Sequence, residues 1–131
     1  MNKINISNLS VEIAKAADLI FKPYIHSVTI DQDQIIEDKH LNLNNEYFLK
    51  LFCRDIEGER IYEYDLDLEI YQSGLNFSLL LSSSKSENKP ILWYSKHPIW
   101  MESETGQKCK PPSNFNNLES FARKISSLLI L

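Results

Sequence analysis

The stretch from Ile61 to Tyr71 constrains this chain more than any other. Tyr62, Tyr64, Leu66, Leu68 and Ile70 share one parity, and Glu63, Asp65, Asp67 and Glu69 share the other. Successive strand side chains point to opposite faces, so the alternation predicts a strand that is dry on one side and acidic on the other. The strand also constrains its neighbours. Glu57-Gly58 can make a two-residue turn before it, and Ser73-Gly74 can make one after it. The first turn sets Cys53 opposite Tyr62, Leu51 opposite Tyr64, Leu49 opposite Leu66 and Tyr47 opposite Leu68. The second sets Ile70 opposite Phe77, Leu68 opposite Leu79 and Leu66 opposite Leu81. Dry residues meet dry residues throughout, and a slip of one residue breaks this in both hairpins. The expectation is a three-strand meander over 46–54, 60–72 and 75–83.

Upstream, Ile13, Ala16, Ala17, Ile20 and Tyr24 recur at helical spacing. Asn8 or Ser10 can cap that helix, Glu12 suits its first turn, Lys22 suits its last, and Pro23 ends it. His26–Ile30 is short and β-branched and reads as an edge strand. Residues 31–45 are polar. Asp31, Asp33, Glu37 and Asp38 cluster there, but the stretch has no Gly and does not match a calcium loop, so it reads as a solvated acidic loop in which Leu41 and Leu43 can add a short strand. Residues 82–90 read as an exposed loop, and Ile91–Lys96 as a further strand. Pro98 places any continuation through Ile99, Trp100 and Met101 at an edge or after a bulge. Residues 102–115, with Gly106, Pro111 and Pro112, show no period, and a loop of that length is commonly functional or mobile. Asn116 and Glu119 resemble a capping box for a final helix with Leu118, Phe121, Ile125 and Leu128 on its apolar face.

These elements predict one α+β domain over residues 1–131. An antiparallel meander sheet of four to five strands carries the N-terminal and C-terminal helices on its one dry face, in two layers. A chain of 131 residues can bury a real core. The net charge of −4 weighs against nucleic acid and anionic membrane as partners. No apolar run approaches the length of a membrane span, and the first residues lack the core of a signal peptide, so a cytoplasmic protein is expected.

No catalytic or binding motif rises above background. The spacing of His26, His40, His97 and two cysteines is not that of a zinc site, and Gly58, Gly74 and Gly106 form no phosphate loop. No metal and no cofactor is expected. Two candidate regions remain. The first is the acidic outer face of the meander: Glu63, Asp65, Asp67 and Glu69, with Phe48, Phe52 and Leu80 among them. On the expected register Lys50 faces Asp65, Glu46 faces Glu69, and Phe48, Asp67 and Leu80 make one row. Aromatic anchors with a charged rim describe a protein interface, for a basic or amphipathic partner or for a second copy of the chain. A solvated sheet face explains the acids equally simply. The second region holds Trp93, His97, Trp100 and Cys109. It is read either as a small-ligand pocket or thiol enzyme, with Lys108 and Lys110 lowering the Cys109 pKa, or as aromatics that seal the core. Between these, a non-catalytic interaction domain is the expected reading, with the pocket as the alternative.

Overall fold

A computed structural model of the chain describes residues 6–30, 44–85 and 89–130. The elements run α1 (Ile6–Ile20), β1 (Ile25–Ile30), β2 (Asn44–Arg54), a single 3₁₀ turn (Tyr62–Tyr64), β3 (Leu66–Ser73), β4 (Asn76–Ser83), β5 (Ile91–Tyr94), β6 (Pro98–Met101) and α2 (Phe115–Ile130). The strands form one antiparallel sheet in sequence order, β1 to β6. This is the α+β meander that the alternation implies, with one strand more. Pro98 does not stop the sheet, because it opens β6 opposite Tyr94 at the end of a tight connection. Of the expected acidic loop of residues 31–45, Asn44 and Asn45 open β2 instead, and residues 31–43, with the Leu41 and Leu43 strand, lie outside the described residues.

Both helices pack on one face. Leu9, Ile13, Ala16 and Ala17 of α1 and Phe121, Ala122, Ile125 and Leu129 of α2 share one buried cluster with Leu49, Leu51, Leu68, Ile70, Leu79, Leu81 and Leu92 of the sheet. Phe21, just past α1, meets Phe121 edge to face, with ring centroids 5.3 Å apart. Ile13, Ala16 and Ala17 of the expected stripe are buried and Ile20 is half-buried, while Tyr24 lies past the helix end, and the helix starts at Ile6, before either expected cap. Glu12 therefore lies beyond the first turn, where it pairs with Lys15 at 3.3 Å, and Lys22 lies beyond the helix end.

The central strand is shorter than its pattern. The chain does start a hairpin after β2, since Arg54 bridges Arg60 and the Ile61 N–H donates to the Cys53 carbonyl. It then leaves the ladder. The Tyr64 and Asp65 amides bond back to the Ile61 and Tyr62 carbonyls, and the Asp65 carboxylate accepts the Cys53 N–H at 2.8 Å. A side chain thus supplies the acceptor that a continuous strand would have provided from its backbone. Tyr62 and Tyr64 are exposed rather than part of the dry face.

This detour shifts the register. Leu49 pairs with Leu68 and Leu51 with Leu66, two residues from the expected pairing. The second hairpin slips by the same amount, with Leu68 opposite Leu81 and Ile70 opposite Leu79. Its turn is Gly74-Leu75, not Ser73-Gly74, with Gly74 at φ +62°. A slip of two keeps every side chain on its face, so the dry face survives while each cross-strand partner changes.

The Asn116–Glu119 capping box is absent. α2 begins one residue before Asn116, and Glu119 instead accepts the Trp100 indole N–H at 2.7 Å. The connection ahead of α2 is ordered in its first half. The Glu102 N–H donates to the Gln107 carbonyl, Met101 bridges Lys108, and the Cys109 N–H donates to the Trp100 carbonyl at 3.0 Å. These bonds fold the segment back along the free edge of β6.

Candidate functional site

The sheet face away from the helices carries a row of large side chains. Phe48 lies opposite Glu69, Glu69 opposite Leu80, Leu80 opposite Trp93 and Trp93 opposite Ile99, so the row crosses five strands. Tyr71 sits one pair further along β3, opposite the small Ser78, and its ring reaches both neighbours. It meets Phe48 edge to face at 6.5 Å and Trp93 tilted at 6.0 Å. All of these residues are half-buried. Among the described residues no helix lies over them, because both helices pack on the opposite face.

The charges lie at one end of this belt. Lys50 pairs with Asp67 at 3.2 Å, and Ser84 Oγ donates to the same carboxylate at 2.9 Å. Glu69 accepts the Tyr71 hydroxyl. Burial, then the Glu69 hydrogen bond, push the Tyr71 phenol up to about 12. Glu46 lies opposite Tyr71 and is exposed.

The structure therefore splits the expected docking set. Phe48, Asp67, Glu69 and Leu80 share the outer face, although Phe48 faces Glu69 and not Asp67, Lys50 faces Asp67 and not Asp65, and Glu46 faces Tyr71 and not Glu69. Phe52 is on that face but lies under the Arg60 guanidinium, 5.1 Å from its ring centroid. The same guanidinium stacks on Tyr62 at 4.3 Å and pairs with Asp65. Asp65 is buried, at 4 % exposure, so it belongs to the interior and not to an acidic stripe. Glu63 is on the 3₁₀ turn, off the sheet. The four-acid stripe thus reduces to Asp67 and Glu69. Tyr71, Trp93 and Ile99 complete the belt and were not expected in it. The parity of Leu92 and Tyr94 already set Trp93 apart from them, but its opposite number needed the β4–β5 register.

The second expected region does not assemble. Trp93 is on the outer face, while Trp100 is on the inner face beneath Glu119. His97 is exposed in the connection before β6. Cys109 is half-buried against the core, joined through its backbone to Trp100.

A concave site exists elsewhere. A cleft of about 500 Å³ opens where β2, β3 and β4 end, between the end of α1 and the start of α2. Phe21, Tyr24, Tyr64, Leu81, Trp100 and Leu118 are among its walls, and Tyr24 and Tyr64 meet edge to face at 5.2 Å. His26 on one side is tied to Asp18, which accepts its backbone N–H at 2.6 Å and contacts its Nδ1 at 3.0 Å. Cys53 is on the floor. Burial, and then the Asp65 charge, push its thiol up to about 11, so it is protonated at neutral pH. Among the described residues no group of three or more His, Cys, Asp or Glu could hold a metal ion. Nor is any helix among them long and apolar enough to cross a membrane.

Fold and surfaces together define a small two-layer α+β protein with one sheet face that neither helix covers. Residues 10–128 match the family model described as Domain of unknown function (DUF8659), and the chain belongs to that family. No curated protein matches the chain, and no solved structure does.

Proposed function

We propose that this chain is a non-catalytic protein-interaction domain that docks a partner on its outer sheet face. One observation carries the reading: the belt of Phe48, Tyr71, Leu80, Trp93 and Ile99, joined past Glu69 by the Tyr71 ring, across the face that neither helix covers. Most exposed antiparallel faces are polar. Here large aromatics and aliphatics stand together, with Glu69 among them and Glu46 and Asp67 to either side, a mix of anchors and charge that suits an interface.

The charge argues for the kind of partner. Glu46, Asp67 and Glu69 outnumber Lys50 beside the belt, with Arg54 further off at the end of β2. A second copy seated on the same face brings like charges toward each other, whereas a protein presenting apolar side chains beside a Lys or Arg meets both features. Charge then sets association rate and salt sensitivity, and the buried rings set affinity.

The test uses a photoreactive phenylalanine analogue at Ile99, in the belt, and at Leu75, an apolar hairpin tip at 88 % exposure. The expected result is a discrete adduct in cells from position 99 and not from 75. It weakens with salt and with Glu69→Gln, and it is lost with Leu80→Ser in a folded protein. Adducts that are the same from both positions, or that survive Leu80→Ser, overturn the reading. A self-adduct replaces the basic partner with a homodimer.

A further inference from the structure

The cleft between the helix ends plays no part in that reading. Its volume, about 500 Å³, lies in the range of pockets that take small organic ligands and exceeds the need of a few waters. Its floor is apolar, from Phe21, Leu81, Trp100 and Leu118.

One polar group on its wall is incomplete. Ser83 follows Leu79 and Leu81 at inward parity on β4, and it lines the cleft. Its Oγ is buried and has no hydrogen-bond partner among the described residues. A buried hydroxyl left unpaired is destabilising, and a polar atom of a ligand seated against this wall of the cleft can satisfy it.

The charges at the mouth are unequal. Lys22 and Lys89 line it and are exposed, with no ion-pair partner among the described residues, against the single acid Glu63. α2 starts at the same place, with Asn114 and Asn117 in the lining. The first-turn amides of a helix lack intrahelical acceptors and favour negative charge. Cys53 on the floor has its thiol held protonated and offers no nucleophile at neutral pH.

We infer that this cleft binds a small organic carboxylate. Its apolar body, about the size of an aromatic ring system, lies against Phe21, Leu81 and Trp100, and its carboxylate is held among Ser83, Lys89 and the first turn of α2.

Naphthoate and the uncharged naphthalene methanol are the probes, titrated against the full chain by quenching of Trp100 in a Trp93→Phe background. The expected result is saturable one-to-one binding of naphthoate, with naphthalene methanol at least tenfold weaker. Ser83→Ala and Lys89→Gln each weaken naphthoate several-fold without altering the circular dichroism spectrum. Leu118→Trp, which fills the cleft, abolishes binding. If that variant does not fold, the Ser83 and Lys89 pair decides. Equal affinity for both probes, insensitivity to Ser83→Ala and Lys89→Gln together, or no saturable binding at millimolar probe overturns the inference.

Discussion

Asp65 does the work of a backbone group and of a counter-ion at once. One carboxylate oxygen takes the Cys53 N–H, and the other pairs with Arg60. Arg60 in turn is clamped between the Phe52 and Tyr62 rings, and its Nε is buried without a partner. Few alternatives exist for either charge, so removing one strands the other in a partly dry place. Breaking a buried pair from one side costs about 3–5 kcal/mol, and the partly exposed Arg60 puts this case near the lower end. Asp65→Ala is therefore expected to destabilise the protein by about 3 kcal/mol in urea unfolding. Asp65→Asn, which keeps an acceptor for Cys53, loses less. Equal losses in the two variants would mean that only the charge matters and that the Cys53 bond contributes nothing. In the sequence, Asp65 is one acid in an alternating run of four. Nothing in that pattern separates the one that turns inward, because the distinction rests on an Arg five residues earlier and a backbone amide twelve residues away.

At the level of the hairpins, parity was legible and register was not. Tyr47, Leu49, Leu51, Leu68, Ile70, Leu79 and Leu81 all lie on the dry face, as alternation requires. Hydrophobic pattern is blind to a slip of two, because the same faces meet. Only the turn decides, and the expected Ser73-Gly74 turn gives way to Gly74-Leu75, one residue along. The structure settles on Gly74 as the first turn residue, at φ +62°, with open space where a Cβ would stand. The cost of a side chain there is conformational alone. Gly74→Val is expected to destabilise by about 1–2 kcal/mol, and Gly74→Asn by a few tenths, since Asn tolerates the left-handed region. Matched urea midpoints for the two variants would show that the turn does not require that conformation. The belt inherits the same limit: parity sets the face of Phe48, Glu69, Tyr71, Leu80 and Trp93, whereas which of them stand side by side depends on register. The cleft was illegible for another reason. Phe21, Ser83, Trp100 and Asn114 come from four distant segments of the chain that meet only when both helices settle on the sheet.

Across the whole molecule, the two tryptophans separate the packed layer from the exposed one. They lie seven positions apart in the chain and on neighbouring strands, yet the sheet divides them. Trp100 is at 7 % exposure, inside the cluster that both helices share, with its indole N–H committed to Glu119 on α2. It therefore ties the β6 edge to α2. Trp93 stands on the outer face against Tyr71 and is only half-buried. Truncating a core aromatic costs about 3–5 kcal/mol, because a cavity and lost contacts add to the transfer energy. Trp100→Ala is expected to fall in that range, enough to threaten a fold whose whole stability is of the order of 5–15 kcal/mol. Trp93→Ala is expected to cost about 1 kcal/mol, the worth of an aromatic pair at a wet surface. The same division governs fluorescence: acrylamide should quench Trp93 readily and Trp100 weakly, read from the Trp93→Phe and Trp100→Phe variants. Comparable unfolding losses and comparable quenching would mean that something covers the outer face in solution. If instead Trp93→Ala leaves the urea midpoint nearly unchanged and removes the cross-link formed from position 99, the ring is kept for contact with another molecule rather than for the fold.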